Sequence, residues 1–128
     1  SYLTIENKEE IPQELRKSLG NCIFGCDICQ EVCPHNQNVS ETLETAFLEP
    51  KIFEINLKKI LSIKDNKQFL TEFGNTPVFR AKRAGLIRNS CIAAGNQKDI
   101  SLKNIIEKLT YDPNEIISKS ALWALQQF

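Results

Sequence analysis

The sequence contains no methionine, a single histidine and a single tryptophan. It also has no apolar run near the roughly 18 residues that a membrane-spanning helix requires, and no basic segment leading into an apolar one, as a secretory leader would show. We therefore predict no membrane span, no signal peptide and a cytoplasmic protein. A chain that begins Ser1-Tyr2-Leu3 without methionine is expected to be an excised piece of a longer product.

Charge of one sign is not in excess. The 128 residues include 16 basic and 16 acidic side chains, so the formal net charge is zero and predicts no polyanionic partner. Any nucleic-acid surface must then arise from local asymmetry of charge. A hydrophobic content of 41% and a charged content of 25% are typical of a globular chain with one domain or two small ones.

Strand patterns are also scarce. After a short lead-in expected to be extended, no stretch alternates apolar and polar residues convincingly over five positions, so we predict an all-α fold without a sizeable sheet. Thr76 is a candidate N-cap with Pro77 in the first turn, and Gly95-Asn96 is expected to end that long helix. Further helices are predicted around 12–19, 39–48 (marginal), 57–61, 69–73, 102–109 and 116–125.

The last part of the chain repeats itself. Residues 86–94 and 116–124 match in small and apolar positions at an offset of about 30 residues, which is typical of stacked helical hairpins. Residues 102–125 resemble a HEAT-type repeat with an Asp-Pro turn. Within this pattern Cys91 and Trp123 are expected to fill the core of a small HEAT-like stack.

Cysteines, in contrast, are concentrated in one place. Four of the five lie between Cys22 and Cys33. Cys26, Cys29 and Cys33, the last followed by Pro34, read C-x2-C-x3-C-P, which is three quarters of the bacterial ferredoxin run for [4Fe–4S] clusters. Ile23 stands where that run has its first cysteine and cannot ligate iron, so this chain is expected to lack ligands for two complete clusters.

Other interpretations of the cysteines remain open. Cys22, Cys26 and Cys29 also read C-x3-C-x2-C, the spacing of radical S-adenosylmethionine enzymes, but those enzymes use a longer barrel fold and the motif leaves Cys33 unexplained. A zinc site favours two separated cysteine pairs or a cysteine–histidine mixture. A disulfide framework requires an oxidising compartment, whereas clustered thiols favour a reducing one. His35 is interpreted as a solvent-facing loop residue.

The two halves together resemble the epoxyqueuosine reductases, iron–sulfur and cobalamin enzymes of tRNA modification. The resemblance covers nearly the whole chain and is most specific in the cysteine run and the Arg-Asn…Gly-Asn segment. It is carried by residues 1–6, 11–12, 23–30 and 32–34, and by Thr76-Pro77, Gly85-Leu86, Arg88-Asn89 and Gly95-Asn96. It implies the C-terminal portion of such an enzyme, with a partial ferredoxin-like segment over residues 1–50 and a HEAT-like domain over 51–128.

The resemblance also implies cofactors and roles. Cys26 and Cys29 would ligate one [4Fe–4S] cluster and Cys33 the other, while Cys22 departs from the family pattern and is not expected to ligate. Cobalamin and the catalytic acid would belong to the part of the enzyme before Ser1, with Ser1 a weak candidate for bordering the cobalamin. No catalytic residue is expected in this chain. The expected state is a monomer that receives electrons from an unidentified donor and reduces epoxyqueuosine to queuosine in tRNA.

A local excess of positive charge indicates where this chain is expected to contact tRNA. No acidic residue occurs between Glu72 and Asp99, whereas five cations do. The helix dipole disfavours cations near a helix N-terminus, so their presence there favours a functional role. Binding of RNA phosphates is such a role, because it requires cations. The alternative is a solvated helix face in a non-catalytic repeat module that binds RNA or protein, or in another iron–sulfur electron-transfer protein. The predicted RNA contacts are Arg80, Lys82, Arg83 and Arg88.

Overall fold

The structure is a computed structural model that describes residues 1–40, 42–45 and 56–128. The chain divides into two compact units, one formed by residues 1–25 with 56–128 and the other by residues 26–55. The domain boundary predicted between residues 50 and 51 lies outside the described residues. The same holds for the end of the marginal helix expected over 39–48, of which residues 39, 40 and 42–44 are not helical.

Helices account for all the regular structure of the described residues, and no strand occurs among them, so the prediction of an all-α fold is confirmed. Short 3-10 helices cover Lys17–Leu19, Pro34–Asn36, Pro77–Ala81 and Ile100–Leu102. The α-helices are α1 (Tyr2–Ile5), α2 (Gln13–Arg16), α3 (Ile28–Glu31), α4 (Leu57–Leu61), α5 (Asn66–Phe73), α6 (Lys82–Gln97), α7 (Lys103–Leu109) and α8 (Glu115–Leu125). Within the described ranges, none of these helices is both long and apolar enough to cross a membrane.

The core of the first unit is organised around α6, in which every residue from 85 to 95 is buried. Helix α8 packs closely on it, because a Cβ atom added at Gly95 would stand 2.9 Å from Cζ3 of Trp123 and 3.1 Å from Cα of Ala124. Glycine thus permits the approach of the two helices. Cys91 and Trp123 are 0% and 7% exposed, which confirms their prediction as core residues.

The ends of α6 differ from the sequence prediction. The hydroxyl of Thr76 donates to the carbonyl of Phe73 at 2.9 Å instead of capping the helix, and the segment after it is a 3-10 turn. The helix continues past Gly95 to Gln97 and ends at Lys98, whose backbone is left-handed with φ 53°. Gly95 serves helix packing here, so a glycine signal for a helix end was misleading.

The first residues are helical where an extended lead-in was expected. Ser1 places its carbonyl to accept hydrogen bonds from the backbone N–H groups of Thr4 and Ile5 at 3.1 and 3.0 Å. The Thr4 hydroxyl donates to the same carbonyl at 3.0 Å. The apparent alternation of Tyr2, Leu3 and Ile5 is therefore the start of α1, in which Thr4 is the buried residue.

Candidate metal centre and nucleic-acid interface

The cysteine run spans a turn, a short helix and a second turn. Gly25 has a φ of 80°, a left-handed value that suits glycine, and it turns the chain just before Cys26. Cys29 lies in α3 and is exposed, whereas Cys26 and Cys33 are half-buried. Cys33 is the N-cap of the 3-10 helix that begins at Pro34. The three predicted ligands therefore lie on or beside one short helix, with their thiols at least partly accessible.

A hydrogen-bonded link steadies the last of these turns. Asn36 donates from its side-chain nitrogen to the carbonyl oxygen of Gln30 at 3.1 Å and to the Gln30 side-chain oxygen at 2.8 Å. It thereby connects α3 to the turn that carries Cys33. Local bonds of this kind define the path of the backbone on both sides of a candidate ligand.

The donor chemistry fits an iron–sulfur cluster, because closely spaced thiols are the ligands that such clusters use. No group of three or more His, Cys, Asp or Glu side chains among the described residues is arranged to hold a metal ion. The assignment of Cys26, Cys29 and Cys33 as cluster ligands stays a prediction.

Cys91 has the opposite environment. It is fully buried in α6, and burial, followed by the negative charge of Asp112, raises the pKa of its thiol to about 12. A thiol with so high a pKa remains protonated near neutral pH and is a poor metal ligand. Cys22 is half-buried, and Ser1 is exposed at the N-cap of α1, where its backbone carbonyl accepts a hydrogen bond from the Thr4 hydroxyl at 3.0 Å. The role of Ser1 beside cobalamin stays a prediction.

Two of the four predicted RNA-contacting cations are accessible. The Arg80 side chain is 63% exposed and pairs with Glu6, whose side chain is 45% exposed. Lys82 is exposed, and its Nζ lies 3.8 Å from the ring centroid of Phe79. Lys8 adds a third exposed cation beside them, since its Nζ donates to the carbonyl of Arg80 at 2.5 Å. We call these three residues the Arg80 patch.

The other two cations have internal roles. Arg83 is 11% exposed and its Nη2 lies 2.6 Å from the Asp112 carboxylate, while its Nε donates to the Ile63 carbonyl at 3.2 Å. Arg88 is 0% exposed. Arg88 is enclosed, Arg83 is largely so, and both guanidinium groups are already hydrogen-bonded within the protein, which argues against their predicted contacts with RNA phosphates.

Arg88 anchors the N-terminal segment to α6. Its guanidinium donates to the backbone carbonyls of Leu3 at 2.7 Å and Asn7 at 2.9 Å, and also to that of Glu9. Desolvation, followed by repulsion from Arg16, lowers the pKa of Arg88 to about 10, so the group stays charged at neutral pH. A buried cation is tolerated here because several carbonyl dipoles surround it.

Sequence reasoning did not assign a function to the amide side chains of α6. Asn89 is 1% exposed and donates to the carbonyls of Thr4 and Ile23, each at 2.8 Å. Asn96 donates to the carbonyls of Arg16 and Gly20, each at 2.9 Å. The available signal was their position, since both asparagines belong to the pairs on which the family resemblance was based.

Comparison with known proteins agrees with this arrangement. Residues 1–36 match the family model described as a 4Fe–4S double cluster binding domain. Two epoxyqueuosine reductases serve as examples of curated relatives. That of Francisella cf. novicida is 37% identical over 133 residues, covering 99% of this chain and 36% of the relative. That of Bacillus subtilis is 34% identical over 127 residues, covering 98% of this chain and 32% of the relative.

Solved structures give the same result. An epoxyqueuosine reductase crystallised with an epoxyqueuosine-modified tRNA-Tyr stem loop matches 99% of this chain with a TM-score of 0.86 and 32% identity. The match covers 34% of that structure, so the chain spans about a third of the length of the relatives it resembles. The resemblance inferred from the cysteine run and the Arg-Asn…Gly-Asn segment is confirmed: over almost its whole length, this chain is similar to one third of an epoxyqueuosine reductase.

Proposed function

We propose that this chain is the C-terminal part of an epoxyqueuosine reductase, an oxidoreductase that reduces epoxyqueuosine to queuosine in tRNA. The observation that carries the proposal is the alignment of 99% of the chain, in sequence and in structure, with enzymes of that name. The chain would contribute cluster ligands and a tRNA-docking helical region of HEAT-like type. The cobalamin pocket, the catalytic acid and the remaining cluster ligands belong to the rest of the enzyme, and the intact protein acts as a cytoplasmic monomer.

The cluster ligands are proposed as Cys26 and Cys29 for one [4Fe–4S] cluster and Cys33 for the other. The match to a double-cluster family model supports this assignment. So does the accessibility of the three thiols, compared with the complete burial of Cys91. Bound clusters supply electron transfer, and the protein tunes their potential through burial and hydrogen bonds to sulfur.

Nucleoside analysis tests the proposed activity directly. The intact protein, loaded with its cofactors, should convert epoxyqueuosine to queuosine in tRNA, as measured by mass spectrometry of digested tRNA. Cys29→Ala should abolish conversion, because an exposed cluster ligand is lost, whereas Cys91→Ala should leave conversion intact. If the amount of epoxyqueuosine in tRNA stays unchanged after incubation with the wild-type protein, the proposal is contradicted.

The tRNA-docking surface is proposed to include the Arg80 patch. Its cations are exposed, and they lie on the unit that also carries α6. Cations that neutralise phosphates release counterions, so each lost contact should reduce the slope of log affinity against log salt concentration by about 0.7–0.9. Phosphate contacts carry no sequence information, so the loss should be similar for any tRNA.

A double substitution separates docking from general surface charge. Arg80→Ala with Lys82→Ala should weaken tRNA binding by the intact enzyme and flatten its salt dependence. Lys103→Ala, which removes an exposed cation from the first turn of α7, serves as the control. Equal affinities and equal slopes for the wild type and the double variant would remove the Arg80 patch from the proposed docking surface.

The alternative is a helical repeat module without catalytic activity, or another iron–sulfur electron-transfer protein. Absorption near 400 nm after anaerobic reconstitution, together with iron and zinc counts, distinguishes these possibilities from the main proposal. A zinc-containing protein without iron would favour the non-catalytic module. An iron–sulfur protein that leaves epoxyqueuosine unchanged would favour another electron-transfer function.

A further inference from the structure

The side chain of Asn89 in α6 binds two separate segments of the chain, one at Thr4 and the other at Ile23. Its side-chain nitrogen carries two hydrogens, and the two acceptors at 2.8 Å are the carbonyls of Thr4 and Ile23. Asn89 and Thr4 are 1% and 2% exposed, so water does not replace these bonds. The amide therefore uses its full donor capacity on backbone groups that are distant in sequence.

Thr4 extends this connection to Gly25. The Thr4 hydroxyl oxygen accepts a hydrogen bond from the backbone N–H of Gly25 at 3.0 Å and donates to the carbonyl of Ser1 at 3.0 Å. Together Thr4 and Asn89 bind the backbone at Ile23 and Gly25, which are separated by one residue. Gly25 is covalently joined to Cys26, the first proposed cluster ligand.

Ile23 contributes its side chain to the same anchor. It is 7% exposed and belongs to the hydrophobic core of the first unit. The residue that interrupts the ferredoxin-like cysteine pattern therefore fixes the start of the cysteine segment through both its side chain and its carbonyl. The chain is held at three points before it reaches Cys26, by Ile23 packing, by Asn89 and by Thr4.

We propose that Asn89 and Thr4 are positioning residues that fix the backbone leading into Cys26 and thereby determine the environment of the cluster that Cys26 ligates. The proposal rests on the proposed function, since it requires that cluster. Groups that orient metal ligands typically alter metal affinity about 10–100-fold when they are lost. The potential of an iron–sulfur cluster also responds to hydrogen bonding and solvent exposure around its ligands.

The test compares substitutions of equal chemistry in the intact, iron-loaded protein. Asn89→Asp replaces the amide donor by a carboxylate facing two carbonyls, and Asn96→Asp makes the same change on the same helix at the contacts with Arg16 and Gly20. Thr4→Val removes the hydroxyl at nearly constant volume, while Thr4→Ser retains it. The measurements are the midpoint potential and electron paramagnetic resonance spectrum of the reduced clusters, and the rate of iron release to a chelator.

Asn89→Asp and Thr4→Val are expected to shift the signal of one cluster and to accelerate its iron release about 10-fold or more. Thr4→Ser and Asn96→Asp should behave like the wild type in these measurements, even where Asn96→Asp lowers thermal stability. If Asn89→Asp does not fold, the Thr4→Val and Thr4→Ser pair decides the question.

Two failures are distinguishable. A wild-type protein that binds iron, combined with a Thr4→Val variant of unchanged potential, spectrum and iron release, would overturn the positioning role and leave the proposed function intact. An intact wild-type protein that binds no iron would overturn the proposed function, and the positioning role with it.

Discussion

Two regions of the chain differ in how far their thiols and apolar side chains are buried: the helical unit, meaning residues 56–128 of the first unit, and the cysteine segment, residues 26–33. In the helical unit Cys91 is 0% exposed and is surrounded by the core. In the cysteine segment Cys29 is exposed, and its neighbours Ile28 and Val32 are 60% and 68% exposed. The thiol of Cys91 is therefore enclosed by the core, whereas the thiol of Cys29 lies at the surface.

The buried polar groups of the helical unit are hydrogen-bonded within the protein. Within the described residues, no buried side-chain nitrogen or oxygen atom is without a hydrogen-bond partner. Arg88 and Asn89 achieve this in the middle of α6 by binding backbone carbonyls of residues 3–9 and 23. Satisfied buried polar groups favour one arrangement of the helical unit, because an unpaired group at the same depth would be costly. The helical unit thus combines a buried core with paired polar groups, whereas the cysteine segment leaves the Cys29 thiol and its apolar neighbours exposed.

Removing the largest core side chain is expected to have the largest effect on stability. Trp123→Ala should lower the free energy of unfolding by about 3–5 kcal/mol, because it leaves a cavity in place of a ring that is only 7% exposed. It also removes the stacking of the Arg16 guanidinium, which lies 5.3 Å from the ring centroid. Urea denaturation measures the change, with Leu122→Ala as the control. A similar loss for Leu122, which is 51% exposed, would contradict the packing described here.

The second prediction concerns the enclosed thiol. Because the pKa of Cys91 is raised in the folded state, to about 12 from 9.0, its protonated form contributes stability that is complete below pH 9. This contribution should be lost as the pH rises from about 9 to about 12. The wild type should therefore lose stability over that window more steeply than Cys91→Ala does. Parallel curves of unfolding free energy against pH for the two proteins would show that Cys91 titrates without such a shift.

The smallest stability effect tests the contact between α6 and α8. Gly95→Ala should cost about 1–3 kcal/mol, because the new methyl group would meet Trp123 and the backbone of α8 at closer than van der Waals distance. Gly85→Ala on the same helix meets only Ala81 and Arg88 side-chain atoms at 3.9 Å. It should be neutral or stabilising by up to about 1 kcal/mol, since alanine favours helix. Equal effects at both positions would contradict the close approach.

Much of the helical unit could be predicted from sequence. The apolar periodicity indicated α7 and α8, and the match of residues 86–94 with 116–124 in small and apolar positions indicated stacked helical hairpins. The sequence contained no indication of the environment of Arg88, which was interpreted as a phosphate contact and is buried. Its hydrogen-bond partners are the backbone carbonyls of Leu3, Asn7 and Glu9, which precede it in the chain by 79 to 85 positions. Backbone groups have no sequence signature.

The candidate site was predicted in its chemistry and less well in its surroundings. The spacing of Cys26, Cys29 and Cys33 indicated thiolate ligands because cluster geometry restricts ligand spacing. Ile23 was recognised only as a missing ligand. Its role as an anchor emerged from the fold, since Asn89 and Thr4 lie far from the cysteine run in sequence.

An iron and sulfide count on the intact, reconstituted protein tests the proposed ligand assignment. We expect about eight iron atoms in the wild type, as two [4Fe–4S] clusters require, and an unchanged count for Cys91→Ala. Cys26→Ala and Cys29→Ala should each damage the same cluster, and Cys33→Ala the other, as judged by the electron paramagnetic resonance signal that remains. The proposed assignment of ligands would be contradicted by a full complement of iron in Cys26→Ala, Cys29→Ala and Cys33→Ala alike. A loss of iron in Cys91→Ala would contradict it as well.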